Sequence, residues 1–240
     1  MPSEAGKDDV RLLPAGTSVG GCLVVPPDRR FDFVRRALSA IDSVHGDRDL
    51  PLIPVVQGSR AVGRYVVTRD GDAARIEAAT PPDRRVFSFA HEIGHFLDHQ
   101  ALGRRGSYAS ESGGIRALMR AIVGGKSIQT LEGRMRQAYA VTTDTLGNSI
   151  RFKVNQRDVA YLLEPKERFA RAYAQFIAVR SRDEMMLGQL EDKLGDSLTQ
   201  GIYCQQWTGD DFAPIASEFD RLLRRKGWLH EHNESLGGSH

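Results

Sequence analysis

The chain has 240 residues and a formal net charge of +2, with 40% hydrophobic and 27% charged residues. These values are typical of a soluble globular domain that builds its core without disulfides, and they give no reason to expect a nucleic-acid partner. Cys22 and Cys204 are the only cysteines, which disfavours both a disulfide framework and a cysteine-based zinc site.

Both ends of the chain are polar. Residues 1–16 lack the apolar core of a signal peptide, and residues 231–240 are polar and glycine-containing. We therefore expect a flexible N-terminal segment and a flexible tail around a single domain, 17–230. Because no apolar run is long enough to span a bilayer, we expect no membrane association. The expected location is the cytoplasm, or outside the cell by an export route without a cleaved signal.

The first part of the domain mixes strand and helix patterns. Residues 19–25 are rich in valine, residues 30–44 carry apolar residues at helical spacing, and residues 50–57 are apolar but contain two prolines. The prolines indicate an extended or edge segment. An Asp-Gly turn between the alternating runs 65–68 and 74–78 predicts a β-hairpin.

The remainder of the chain is mostly helical in pattern. We expect a loop at 104–114 and an irregular segment at 141–152. The predicted helices are 86–102, 115–123, 127–139, 156–163, 165–179, 182–194 and 211–225. The predicted fold class is α+β, a small antiparallel sheet followed by a mostly helical region.

One predicted helix is rich in histidine. The stretch FSFAHEIGHFLDH contains His91, His95 and His99, three of the seven histidines in the chain. His91 and His95 are four residues apart, so both imidazoles face one side of an α-helix and can bind one ion. Glu92 completes a His-Glu-x-x-His pattern, in which the carboxylate takes a proton from water beside zinc. We predict a Zn²⁺ site with His91 and His95 as ligands and Glu92 as general base.

A catalytic zinc usually takes a third protein ligand. His99 lies about 12 Å from His91 along a straight helix, too far to share a tetrahedral ion. The helix that begins near Pro165 offers Glu167, on the same face as small alanines that permit close approach of another helix. Glu167 is the predicted third ligand. The alternatives that stay open are Glu164, Glu111, Asp144 and His99.

These two motifs resemble those of a known family. HEIGHFLDH, followed about seventy positions later by Glu-x-x-Ala-x-x-Tyr-Ala, resembles the gluzincin-type zinc peptidases of the ImmA/IrrE family. The stretch ERFARAYAQF is also similar to the glutamate helix of lethal-factor-like metallopeptidase toxins. The resemblance covers roughly residues 62–180. It implies a zincin-like metallopeptidase domain with an α/β part at 17–82, two metal-binding helices within 83–180 and a C-terminal helical part at 181–230.

The resemblance also implies an activity. It predicts a zinc-dependent endopeptidase that cleaves a specific protein or peptide substrate, in a regulatory or toxin-like role. In lethal-factor-like enzymes a tyrosine shortly before the glutamate helix stabilises the oxyanion, and by this similarity Tyr161 is a candidate catalytic residue. An extended substrate is expected to pair with the edge of the 65–78 hairpin. The alternative is a catalytically inactive zincin-like module that acts in interaction or assembly.

Overall fold

The structure is a computed structural model that describes residues 18–46, 50–59, 63–78, 85–104, 106–143, 146–195 and 203–229. The predicted flexible segment 1–16 and tail 231–240 lie outside the described residues. About 59% of the described residues are helical and 17% lie in strands, so the chain is α+β with a small sheet. No helix in the described ranges combines the length and the apolar character that crossing a membrane requires.

Helices form most of the described chain. The α-helices are α1 Asp32–Val44, α2 Val86–Phe96, α3 Ala109–Ser112, α4 Arg116–Gly124, α5 Lys126–Arg134, α6 Gln156–Leu162, α7 Pro165–Ser181, α8 Glu184–Gly195 and α9 Gly209–Lys226. A π-helical turn, Leu97–Ala101, extends α2. Pro165 occupies the first turn of α7, where the missing N–H costs no hydrogen bond, and α9 ends at Gly227 in the left-handed conformation.

The strands form a four-stranded sheet and a separate hairpin. The first contains β1 Leu23–Val24, β2 Ile53–Gln57, β3 Arg64–Val67 and β4 Ala73–Ala78 in the order β1-β2-β4-β3; the second pairs β5 Tyr139–Thr143 with β6 Ser149–Lys153. Only the predicted 65–78 hairpin, β3 with β4, is antiparallel in the larger sheet. The prediction of an antiparallel sheet was therefore wrong: β1–β2 and β2–β4 are parallel. The reason is that α1 forms the helical crossover between β1 and β2 that a parallel pair requires.

The two prolines of segment 50–57 led to a wrong prediction of where this segment lies in the sheet. The segment contains β2, which lies inside the sheet between β1 and β4 and is not an edge strand. Pro54 is tolerated because β1 reaches only two residues, to Val24, while pairing with β4 begins at Val55. The strand predicted at 19–25 is likewise reduced to Leu23–Val24, because a 3-10 turn occupies Gly20–Cys22.

Two later segments also differ from expectation. Residues 141–152, predicted to be irregular, lie largely in the β5–β6 hairpin, and the helix predicted to reach residue 139 ends at Arg134. β6 alternates polar and apolar residues, with Ile150 and Phe152 half-buried, so a strand signal was present in this segment and was overlooked. The segment 104–114, predicted to be a loop, contains α3.

The core is built around the contact of α2 with α7. A Cβ added at Gly94 would lie 2.9 Å from Cα of Ala170, so the two helix backbones approach as closely as glycine permits. Around this contact, Phe33 of α1 meets Phe89 edge to face, and Phe219 of α9 packs against Phe176 of α7. The helix that carries the histidines and the helix that carries the glutamate are therefore held together by the centre of the core.

Candidate metal centre

Three side chains from two helices meet at one point. His91 and His95 project from α2 with their Nε2 atoms 3.1 Å apart. Glu167, in the first turn of α7, has Oε2 3.3 Å from Nε2 of His91 and Oε1 3.2 Å from Nε2 of His95. Within the described ranges, no other group of three or more His, Cys, Asp or Glu residues brings its donor atoms together in this way.

These separations fit a tetrahedral zinc ion. Zinc binds imidazole nitrogen and carboxylate oxygen at about 2.0–2.1 Å, which puts neighbouring ligand atoms about 3.3–3.4 Å apart on a tetrahedron. The three observed separations, 3.1, 3.2 and 3.3 Å, lie close to that value. Two imidazoles and one carboxylate also leave a fourth position for water or substrate, the donor set of a catalytic site. The residues present therefore fit zinc in both chemistry and spacing.

The charges within the group are strongly coupled. Burial alone lowers the pKa of His95, but the hydrogen bond and the negative charge of Glu167 outweigh burial and raise that pKa. Burial raises the pKa of Glu167, yet His91 and His95 outweigh it and hold that pKa far below its usual range. Glu167 is therefore ionised at neutral pH, and the proton that it attracts to His95 must leave before a metal ion binds.

Glu92 lies on α2 beside the two histidines and is held by the sheet. The backbone N–H of Tyr65 in β3 donates a 2.8 Å hydrogen bond to Oε2 of Glu92. The carboxylate is only 5% exposed, and a Cβ added at Gly63 would lie 2.9 Å from its Cγ. The edge strand thus fixes the orientation of Glu92 through one carboxylate oxygen. No sequence pattern predicted this strand contact, which joins residues 27 positions apart.

His99 lies outside the group of three. Its Nδ1 is 2.9 Å from the hydroxyl of Tyr65 and 2.7 Å from Nε2 of Gln100. Its ring centroid lies 4.8 Å from that of Tyr108. His99 therefore supports β3, the strand that holds Glu92, and burial lowers the pKa of its imidazole.

Tyr108 is a neighbour of the site that the sequence did not single out. Its ring meets that of His95 edge to face at 6.5 Å, and Nζ of Lys166 lies 5.8 Å from its centroid. Burial, reinforced by nearby carboxylates, raises the pKa of Tyr108 to about 12, so the phenol keeps its proton. Nδ1 of His95 is buried and has no hydrogen-bond partner among the described residues. No hydrogen bond among those residues therefore orients this side of the imidazole, and the ring of Tyr108 packs against it.

The segment that carries Tyr108 is fastened to α2 by a buried carboxylate. Asp98 is fully buried and accepts hydrogen bonds from the backbone N–H and the hydroxyl of Ser110, at 2.8 and 2.6 Å. Burial raises the pKa of Asp98 to about 6. The predicted loop at 104–114 is therefore anchored by α3 beside the metal centre. The sequence alone did not decide the role of Asp98.

Tyr161 of α6 lies on the other side of the centre and is 50% exposed. Burial of the rest of its ring raises the pKa of Tyr161, and the charge of Glu167 and a hydrogen bond with it raise that pKa further. The phenol is therefore protonated at neutral pH and can donate a hydrogen bond to a substrate oxygen.

The alternative ligands are not part of the group. Glu164 forms an ion pair with Lys166 at the exposed start of α7, and Glu111 is exposed on α3. Asp144 lies outside the described residues.

The three candidate ligands and Glu92 open into one cleft of about 640 Å³. His91, Glu92, His95 and Glu167 lie in its wall, together with Tyr108, Tyr161 and the start of β3. The three candidate metal ligands, the carboxylate of Glu92 and two phenols therefore face the same space. Comparisons with protein-family models, curated proteins and solved structures found no match to this chain.

Proposed function

We propose that the protein is a zinc-dependent endopeptidase that cleaves a protein or peptide substrate. The observation that carries the proposal is the convergence of His91, His95 and Glu167 at zinc-like spacing, with Glu92 oriented beside them in the same cleft. A structural cluster of histidines would need neither the open cleft nor a carboxylate fixed by a neighbouring strand.

Each polar residue has a part in this chemistry. Zinc, when bound to His91, His95 and Glu167, supplies a Lewis acid that polarises a carbonyl and lowers the pKa of water towards 7. Glu92 accepts a proton from water on the carboxylate oxygen that Tyr65 does not contact, and delivers it to the departing amide nitrogen. Tyr161 donates a hydrogen bond to the carbonyl oxygen as negative charge develops there.

The edge of the sheet supports a peptide as substrate. β3 is the outer strand in the order β1-β2-β4-β3, and Gly63, Arg64 and Tyr65 line the cleft. An extended peptide that pairs with this edge lies across the metal centre, with its backbone groups satisfied by those of β3. Because Tyr65 of β3 also holds the carboxylate of Glu92, a peptide paired with β3 would influence the orientation of Glu92.

The test compares the zinc-loaded wild type with Glu92→Gln on a cell lysate, with new protein N-termini identified by mass spectrometry. We expect cleavages that the wild type makes and that Glu92→Gln makes about 10²- to 10⁴-fold more slowly, the loss typical of a missing general base. Glu184→Gln, a change at an exposed residue in the first turn of α8, is the matched control and should cleave like the wild type.

A wild type that binds zinc but produces no Glu92-dependent cleavage would overturn the peptidase proposal. The same result would support the second candidate, an inactive zincin-like module that acts in interaction or assembly.

A further inference from the structure

The cleft extends well beyond the metal centre. Its far end lies at the first turn of α2 and is lined by Arg85, Phe87, Ser88, Arg171, Lys193 and Gln206. The carboxylates among the described residues that line the cleft, Glu92 and Glu167, both belong to the metal centre. The far end is therefore cationic, whereas the near end carries the metal-binding group.

Lys193 is a half-buried cation at this end of the cleft. It projects from α8 with Nζ 5.8 Å from the ring centroid of Phe87, and burial lowers the pKa of its ammonium group. No carboxylate in the part of the chain that the structure describes forms an ion pair with it. A partly buried ammonium without a partner reduces stability, and an arriving anion removes that cost.

Arg171 adds a second charge of the same kind. The residue is 5% exposed, and its guanidinium donates to the carbonyl oxygens of Leu162, Cys204 and Gln205. These acceptors hold the guanidinium in place but carry no charge, so the opposite charge that acts on it comes from Glu167, one turn earlier on α7. Its Nε has no hydrogen-bond partner among the described residues. The charge of Arg171 also contributes to the lowered pKa of Lys193, which indicates that the two cations act on the same space.

The first turn of α2 also contributes positive potential at this end of the cleft. The first turn of an α-helix presents unpaired N–H groups and the positive end of the helix dipole. Gln189 accepts the N–H of Phe87 at 2.9 Å, and the turn at Phe87 and Ser88 lines the cleft beside Lys193. The helix terminus, the half-buried Lys193 and the buried Arg171 converge at this end, and Glu167 is the described carboxylate whose charge acts on Arg171.

We propose that this end of the cleft is a subsite for a carboxylate of the substrate. The inference rests on the proposed peptidase function and adds the chemical class that the enzyme selects. Phe87 lies one helical turn, about 6 Å of axial rise, before His91, so the carboxylate belongs to a residue adjacent to the scissile bond or nearly so. Its source is either an acidic side chain or the free C-terminus of a peptide. Basic side chains are repelled there.

The experiment uses three degenerate peptide libraries that differ in one feature. The first has a fixed glutamate and the second a fixed glutamine, both with blocked ends; the third has the glutamine and a free C-terminal carboxylate. Cleavage is measured with zinc-loaded wild type, and binding with zinc-loaded Glu92→Gln. Both are repeated with Lys193→Met, Lys193→Arg and Lys153→Met, the last removing an exposed lysine of β6.

We expect the glutamate library to be cleaved and bound about 10- to 100-fold better than the glutamine library, the size of a hydrogen-bonded charge interaction. The ratio should fall to near one in Lys193→Met and persist in Lys193→Arg and Lys153→Met. A preference for the third library instead identifies the C-terminal carboxylate as the ligand and supports the subsite equally.

Equal cleavage and equal binding of all three libraries would overturn the subsite while leaving the peptidase proposal intact. A preference that survives Lys193→Met would overturn it as well. If nothing is cleaved but Glu92→Gln binds the glutamate library through Lys193, the carboxylate site stands and the peptidase proposal fails.

Discussion

At the scale of single residues, the site depends on a competition between protons and metal. Glu167 raises the pKa of His95, and the two histidines hold the pKa of Glu167 far below its usual range, so the proton is held on the His95 imidazole and not on the carboxylate. The same nitrogen atoms are the ones that zinc would bind. The chemistry of the centre is therefore set by pH as much as by geometry.

Zinc affinity should fall as pH decreases from 8 to 5.5. The raised pKa of His95 means that the loss begins above the ordinary histidine pKa of about 6.5, and once His95 is protonated the affinity falls about 10-fold per pH unit. Glu167 adds no further proton in this range, because its pKa is lowered. Competition titration with a zinc chelator across this range is the measurement. An affinity independent of pH would show that the histidines are not ligands.

The two tyrosines beside the centre make distinct predictions. Tyr161→Phe removes the proposed donor to the developing oxyanion, and we expect kcat to fall about 10²- to 10³-fold with little change in KM. Tyr108→Phe keeps the ring that packs against His95 and His99, and should retain most activity. Steady-state kinetics on a peptide found in the cleavage test measures both. The reverse pattern would assign the donor role to Tyr108.

At the scale of secondary-structure elements, the crossing of α2 and α7 determines whether the ligands meet. Gly94 lies between the two histidines in sequence and directly against Ala170, one turn after Glu167. The same small residue therefore sets the distance between the helices and between the ligand atoms. Packing and metal geometry are not separable at this crossing.

Gly94→Ala should damage both stability and the metal centre. Its new Cβ would lie 2.9 Å from backbone Cα of Ala170, and overpacking of this kind costs about 1–3 kcal/mol. The helices must separate, so zinc affinity falls as well. Gly188→Ala in α8 is the matched control, because nothing lies within 4 Å of its Cβ position. That change should stabilise by about 0.5–1 kcal/mol. Urea unfolding and zinc titration of both variants measure these effects, and an unaffected Gly94→Ala would contradict the close crossing.

Features that depend on residues close together in sequence could be predicted, whereas features that depend on contacts between distant residues could not. The bounds of α7, with Pro165 in its first turn, and the shared face of His91 and His95 depend on local spacing, so they could be predicted. The strand contact to Glu92 could not, because Tyr65 donates a backbone N–H that no side-chain pattern records. The parallel pairing of β1 and β2 was missed because two prolines made segment 50–57 look unsuited to a strand inside a sheet. Pro54 is accommodated there because pairing with β4 begins only at Val55.

At the scale of the whole molecule, the cleft lies where the edge of the sheet meets the helical core. β3 supplies one wall, α2 and α7 the metal-binding group, and α8 the cationic end. Ligand binding in this cleft therefore joins elements that are distant in sequence. Zinc bound at this group would link metal affinity to folding stability for the same reason.

Zinc should raise the melting temperature, and the increase should grow from pH 6 to pH 8. A ligand at about 1,000-fold its Kd adds about 4 kcal/mol, or roughly 10 °C for a chain of this size. The raised pKa of His95 stabilises the metal-free protein below about pH 6.5, and that stabilisation is lost as pH rises through the folded-state pKa. Glu167 contributes equally across this range. Thermal unfolding with zinc or with chelator tests this, and an increase that shrinks with pH would contradict it.

The most direct test of the account is the zinc content of purified protein after dialysis, measured for the wild type, Glu167→Gln and His99→Gln. The account predicts one zinc ion per chain in the wild type and in His99→Gln, because His99 only supports β3. It predicts little or none in Glu167→Gln, which replaces a ligand carboxylate with an amide of similar shape. A wild type without zinc, or a Glu167→Gln variant that retains zinc while His99→Gln loses it, would contradict the proposed centre.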